Sequence, residues 1–162
     1  MFGQVSKEAQ KVVNYLVRSS ELEGTVRLED IAQHTGKDVR ELRFFLEELE
    51  DETRCCIHGY GYGPFRFTVV QVLAPCWYYA DTDAAGFDVQ ETMRYVASVI
   101  FAHEQTVDRD SLLQETGLPA KHLDIAAQIL GDWKLIWLYQ PIVRGLAFAS
   151  ARATRATYEF LH

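Results

Sequence analysis

At 162 residues, 48% hydrophobic and 24% charged, the chain has the balance of a folded globular protein and is too apolar to be disordered. A formal net charge of −7 argues against a strong non-specific polyanion binder, whose affinity rests on Lys and Arg neutralising phosphates. No window approaches the roughly 18 consecutive apolar residues of a membrane span. Met1-Phe2-Gly3-Gln4 shows no basic and apolar leader pattern. Three cysteines, two of them adjacent, supply no disulfide framework, so a reducing, cytoplasmic setting is expected.

In chain order, Ala9, Val12, Val13, Leu16 and Val17 recur at three- and four-residue spacing and predict a helix from Ser6 to Ser20, with Ser6 as its N-cap. Val26 is a short apolar lead-in to a second helix, Leu28 to His34, with Leu28, Ile31 and Ala32 inward and Gly36 as the terminator. A third helix is predicted from about Asp38 to Asp51, on the stripe Val39, Leu42, Phe45, Leu46 and Leu49. The period then changes from 3.6 to 2, so Arg54 to His58 and Phe65 to Val72 read as strands around the turn Gly59-Tyr60-Gly61-Tyr62-Gly63-Pro64.

The pattern then repeats. Thr25 to Gly36 aligns without a gap on Thr106 to Gly117, an offset of 81, which is half the chain length. At the same offset Leu42 falls on Leu123, Leu49 on Leu130, Phe67 on Phe148 and Trp77 on Tyr158. The second copy is expected to bring a helix from Asp88 to His103, a short helix from Asp110 to Glu115 closed by Gly117, and a helix opened by Pro119 and reaching about Leu130. Strands follow at Leu135 to Tyr139 and Leu146 to Ala151. The first loop of copy one is two residues longer than its counterpart. The expected organisation is therefore mainly α with small β-hairpins (α+β), as two domains, 1–80 and 81–162.

Three helices followed by a hairpin, with the Thr35-Gly36 and Thr116-Gly117 turns between helices two and three, resemble the winged-helix (winged helix-turn-helix) superfamily. Nearly the whole chain is covered, once per half. The resemblance implies tandem duplicated winged-helix domains, with reading double-stranded DNA as a transcriptional regulator the first expectation and protein assembly the alternative. Acidic tandem winged-helix proteins of this size look like subunits of the endosomal sorting machinery and accessory subunits of bacterial condensin.

For a DNA reader, the resemblance puts the third helix in the major groove and the wing on the backbone. Lys37, Arg40 and Arg43 are then the contacts from the first such helix, whose exposed positions also include Glu41 and Phe44. The first wing adds Arg54 and Arg66, with His58 nearby. In copy two the equivalent face is Lys121, His122, Asp124, Ile125 and Gln128, with Arg144 at the wing and Arg152 and Arg155 in the tail. The charges oppose this use. Residues 1–75 carry nine basic and twelve acidic residues, and residues 76–162 carry seven and eleven, so neither half is basic. The same basic side chains also suit a solvated face paired with Glu41 and Glu47.

For a protein partner, Phe44, Tyr60 and Tyr62 are the expected contacts, because exposed aromatics are enriched at interfaces. Trp133, Trp137 and Tyr139 leave apolar surface for copy one or for a second chain, which makes a homodimer an expectation. No catalytic residue, cofactor or metal is expected. Cys56 and His58 share a strand face while Cys55 points the other way, and no second pair of ligands completes a zinc site. Asp81, Asp83 and Asp88 read as a solvent-facing linker.

Overall fold

The computed structural model describes residues 3–62, 65–142 and 145–162, with side chains for all of these except 62, 65 and 66. The fold is α+β. The chain divides into two compact units, one ending at Phe87 and the other starting at Asp88.

The first unit begins with α1 (Lys7–Ser19), whose N-cap Ser6 accepts a hydrogen bond from the Ala9 amide. Its buried face is Ala9, Val12, Val13, Leu16 and Val17. Then come β1 (Thr25–Arg27), α2 (Leu28–Thr35), α3 (Val39–Glu50), β2 (Ile57–Tyr62) and β3 (Phe65–Val72). Asp38 caps α3 by accepting from the Arg40 amide at 2.8 Å. Leu42, Leu46 and Leu49 are its buried stripe, while Val39, expected inside, is exposed at the helix start. Two short helices, α4 (Pro75–Tyr79) and α5 (Thr82–Ala85), pack back on α1. That packing carries the unit to Phe87, beyond residue 80. Asp81 accepts from the Asn14 side chain at 2.8 Å, and Asp83 pairs with Arg18 at 3.1 Å.

The second unit runs through the same order: α6 (Val89–Ala102), β4 (Val107–Asp108), α7 (Arg109–Thr116), α8 (Ala120–Asp132), β5 (Ile136–Tyr139), β6 (Ser150–Ala153) and α9 (Arg155–Leu161). Asp88, expected in a linker, is the N-cap of α6 and accepts from the Glu91 amide at 3.0 Å.

Each unit holds one three-stranded antiparallel sheet with its last strand in the middle, β1-β3-β2 and β4-β6-β5. Val26 pairs with Val70, and Val107 with Ala151, so the register also matches at an offset of 81. Val26 is therefore a strand residue of the sheet and more than a helix lead-in. Phe67 and Phe148 lie beneath their sheets as buried core residues.

Several boundaries differ from expectation for identifiable reasons. The buried positions 9, 12, 13 and 16 of α1 match 93, 96, 97 and 100 of α6, an offset of 84. The first loop of unit one is thus three residues longer, not two. β2 starts at Ile57 rather than Arg54, because the chain after α3 turns with Cys55 at φ 54° and the Cys56 amide bonded back to the Leu49 carbonyl. The second unit turns at the matching place with two fewer residues, through Lys134 at φ 58°, with the Leu135 amide on the Leu130 carbonyl. The last strand of unit two is Ser150–Ala153, later than Leu146 to Ala151, since its pairing with Val107 sets its position.

Gly36 and Gly117 end α2 and α7 in the left-handed conformation, at φ 68° and 65°. In both, the preceding threonine hydroxyl donates back into its helix, Thr35 to the Ile31 carbonyl and Thr116 to the Leu112 carbonyl. A Cβ at either glycine meets nothing within 4 Å, so only backbone strain opposes a side chain. Gly36→Ala and Gly117→Ala are each expected to lower stability by about 1–2 kcal/mol, read from urea unfolding midpoints.

Candidate functional site

The α3 face does not present its cations as a row. Lys37, in the turn before α3, has only 12% of its side chain exposed. It ion-pairs with Glu8 of α1, lies 3.8 Å from Glu41, and rests 5.2 Å from the Phe45 ring centroid. This ties α1 to α3 from within. Arg40 is exposed. Arg43 is half-buried, lining a small depression with Leu28, Val39 and Phe67. Neither arginine holds an ion pair among the described residues. Glu41, Glu47 and Asp51 are exposed on the same helix and its end, and Phe44 is 70% exposed among them.

On the first wing, Arg54 is half-buried, with Nη2 donating to the Gln4 carbonyl at 3.5 Å. Tyr60 is exposed; its hydroxyl donates to Gln71 at 3.3 Å, and its ring meets His58 edge-on at 4.6 Å. The side chains of Tyr62 and Arg66 lie outside the described residues, as does the turn at Gly63 and Pro64.

In the second unit, Lys121 is exposed, but the rest of the expected face is used internally. Ile125, expected on the surface, is fully buried, because α8 buries a second stripe with Ile129 besides Leu123, Ala127 and Leu130. Asp124 takes two hydrogen bonds from Arg109, at 2.8 and 2.9 Å, with both side chains largely out of water. Such a bidentate pair fastens the start of α7 to α8. Burial, and secondarily Lys121, hold the His122 imidazole below its ordinary pKa. Arg144 lies outside the described residues. Exposed apolar side chains instead collect beyond α8: Trp137, Tyr139, Ile142 and Leu146.

Two of the three thiols are core groups. Cys56 and Cys76 are buried, and burial pushes both well above the ordinary thiol range, which makes them poor nucleophiles. Cys55 is half-buried, its Sγ 2.8 Å from the Glu52 carbonyl. Among the described residues no three His, Cys, Asp or Glu side chains converge as metal ligands do. Cys76 and Thr157 are buried at matching places after the last strand of each unit, and Thr157 donates to the Leu135 carbonyl at 2.5 Å. The lysine–glutamate tie, the Arg109–Asp124 pair and this threonine gave no signal in the sequence, since each joins residues far apart in the chain or on different elements.

Comparison of the chain with family models, with characterised proteins and with solved structures gives no match.

The Glu8–Lys37 tie carries a pH signature. The Glu8 carboxyl is held below its ordinary value, chiefly by the hydrogen bond from Lys37. Its contribution to stability is complete above the ordinary glutamate pKa and is lost as pH falls through the lower folded value. Lys37 is held above its ordinary value, chiefly by Glu8. That contribution is complete below the ordinary lysine pKa and is lost as pH climbs through the raised one. Glu8→Gln is expected to flatten both arms of a stability-against-pH profile measured by denaturant unfolding.

Proposed function

We propose that the chain is a pair of winged-helix units working as a protein-interaction and assembly module. Two features support the winged-helix reading. Helix, strand, helix, helix and two strands occur twice, with the last strand central each time. A left-handed glycine separates the second and third helices in both units. The matching registers support descent of the two units from one duplicated domain.

The observation that carries the choice of ligand is the face around Phe44. A groove-entering helix needs cations near its start. Here Lys37 is drawn inside, Arg54 is half-hidden, and an exposed phenylalanine stands among Glu41, Glu47 and Asp51. An aromatic anchor ringed by charge is the composition of a protein contact. The same position in the second unit, Ile125, is buried, so that unit offers no matching groove-reading face. The reading assigns no catalysis and no cofactor. It takes the chain as cytoplasmic, on three cysteines that form no disulfide. Among the described residues no helix is long and apolar enough to cross a membrane.

A second reading, a DNA-binding regulator, is favoured by Arg40 and Arg43. They stand on the first half of α3 with no ion pair among the described residues, and Lys121 is exposed at the start of α8. Double-stranded DNA would then be held through unit one, with steep salt dependence.

Replacing Phe44 with a photo-crosslinking phenylalanine analogue in living cells separates the two. The expected adduct is digested by protease and resists nuclease. Fluorescence anisotropy on a mixed-sequence duplex is expected to show no salt-dependent binding for wild type or for Arg40→Glu/Arg43→Glu. A nuclease-sensitive adduct, with duplex binding that the double variant abolishes, would replace the assembly reading by the regulator.

A further inference from the structure

The two units finish the same strand edge in opposite ways. With the last strand central in each sheet, β2 and β5 each have one edge without a neighbouring strand among the described residues. Gly59 of β2 pairs with Val70, and Leu138 of β5 pairs with Ala151, so these two residues hold the same place. The Gly59 amide points away from β3 and donates to Glu50 Oε2 at 2.7 Å. Unit one thus closes its edge with a carboxylate from the end of its own α3.

The residue of α8 that corresponds to Glu50 is Gly131, which has no side chain to offer. The Tyr139 carbonyl accepts from the Ala149 amide at 2.9 Å, so the backbone of Tyr139 faces inward. By the alternation of an antiparallel pair, Leu138 turns both its amide and its carbonyl to the open edge. A groove of about 450 Å³ runs there between α8 and β5, lined by Gln128, Gly131, Ile136, Leu138, Gln140 and Thr154. In its wall the Gln128 Oε1 is buried, with no hydrogen-bond partner among the described residues. A buried acceptor without a partner is unfavourable, and rotation of the Gln128 carboxamide into the groove to meet a peptide donor relieves it. Gly131 keeps the groove in shape, because a Cβ there would come within 2.9 Å of the Leu138 side chain.

We propose that unit two binds an extended peptide segment of a partner protein as a fourth strand along β5, in the groove beside α8. The Leu138 amide and carbonyl make the strand contacts, and the Gln128 carboxamide, turned into the groove, accepts one peptide N–H. This is strand addition to a sheet edge. The four residues of β5 span a peptide of about the same length. The lining selects its chemistry. Ile136 and Leu138 favour apolar, β-branched side chains at alternate positions. One charge of each sign at the rim, Asp132 and Lys134, favours a segment of no net charge. The proposal rests on the assembly reading and deepens it.

The test uses the full chain and a phage-displayed library of random dodecapeptides. Gly131→Glu/Leu138→Gly transplants the closed edge of unit one into unit two, and Gln128→Leu removes the orphan acceptor. Enriched peptides are expected to alternate apolar and β-branched residues and to shift the Leu138 amide and Trp137 indole resonances. They should lose at least tenfold in affinity for the double variant and several-fold for Gln128→Leu, each measured well below the melting transition of the variant. If the double variant does not fold, Gln128→Leu alone decides. No enrichment over the double variant, or equal affinity for wild type and Gln128→Leu, overturns the proposal. Resonance shifts confined to the Phe44 face overturn the groove and leave the assembly reading standing. A wild-type dimer in sedimentation that the double variant dissolves overturns the foreign peptide in favour of a second copy. A nuclease-sensitive Phe44 adduct, by contrast, strikes the assembly reading itself, whatever the peptides do.

Discussion

Each unit depends on one long-range pairing, that of a very short strand with the last strand of the same unit. Val26 opposite Val70 and Val107 opposite Ala151 join residues more than forty positions apart. The pairing fixes the start of the second helix against the sheet, and Phe67 and Phe148 are buried at matching positions of the two units. It also decides which strand is central. Because β3 and β6 take the middle, β2 and β5 are left as edges. The groove of unit two and the carboxylate cap of unit one both follow from that placement. Closing loops of this length costs chain entropy that grows only slowly with length, so a few buried residues suffice to hold them.

Two cations of the chain are held inside their own units. Lys37 bridges to Glu8 across two helices, and Arg109 grips Asp124 with both arms of its guanidinium. These pairs are partly out of water, where a lone charge is costly and a well-bonded pair is tolerated. Cations held this way are withdrawn from any phosphate backbone. What remains on the surface is a mixed field with exposed aromatic and aliphatic side chains, Phe44 in one unit and Trp137, Tyr139, Ile142 and Leu146 in the other.

The edges show how one scaffold supports two behaviours. Glycine on the strand with glutamate on the helix, Gly59 and Glu50, gives an edge satisfied by its own side chain. Leucine on the strand with glycine on the helix, Leu138 and Gly131, gives an apolar wall and an open backbone. An open edge is a hazard that folded proteins commonly blunt. Unit one blunts it. Unit two leaves a short, four-residue edge flanked by polar amides, long enough for a specific segment and too short to template aggregation.

Local features of the fold were legible in the residues. The apolar spacing of α1, α3, α6 and α8, the glycine terminators Gly36 and Gly117, and the change of period into the hairpins depend on neighbours a few positions away. Such neighbours are written consecutively in the chain. Tertiary structure alone decided the rest. Val107 and Asp108 make a two-residue strand, too short for any period, that exists only because β6 is beside it. β2 begins late because Cys55 takes a left-handed turn that no local preference of cysteine announces. Ile125 reads as an outer position on the wheel of α8, yet it is buried, since burial depends on what packs against the helix. Lys37 and Glu8 stand far apart in the chain, and Glu50 and Gly59 lie on different elements, so nothing in their spacing reveals the contact. Periodicity fixes which way a side chain faces relative to its own helix or strand; only the folded chain fixes what stands opposite it.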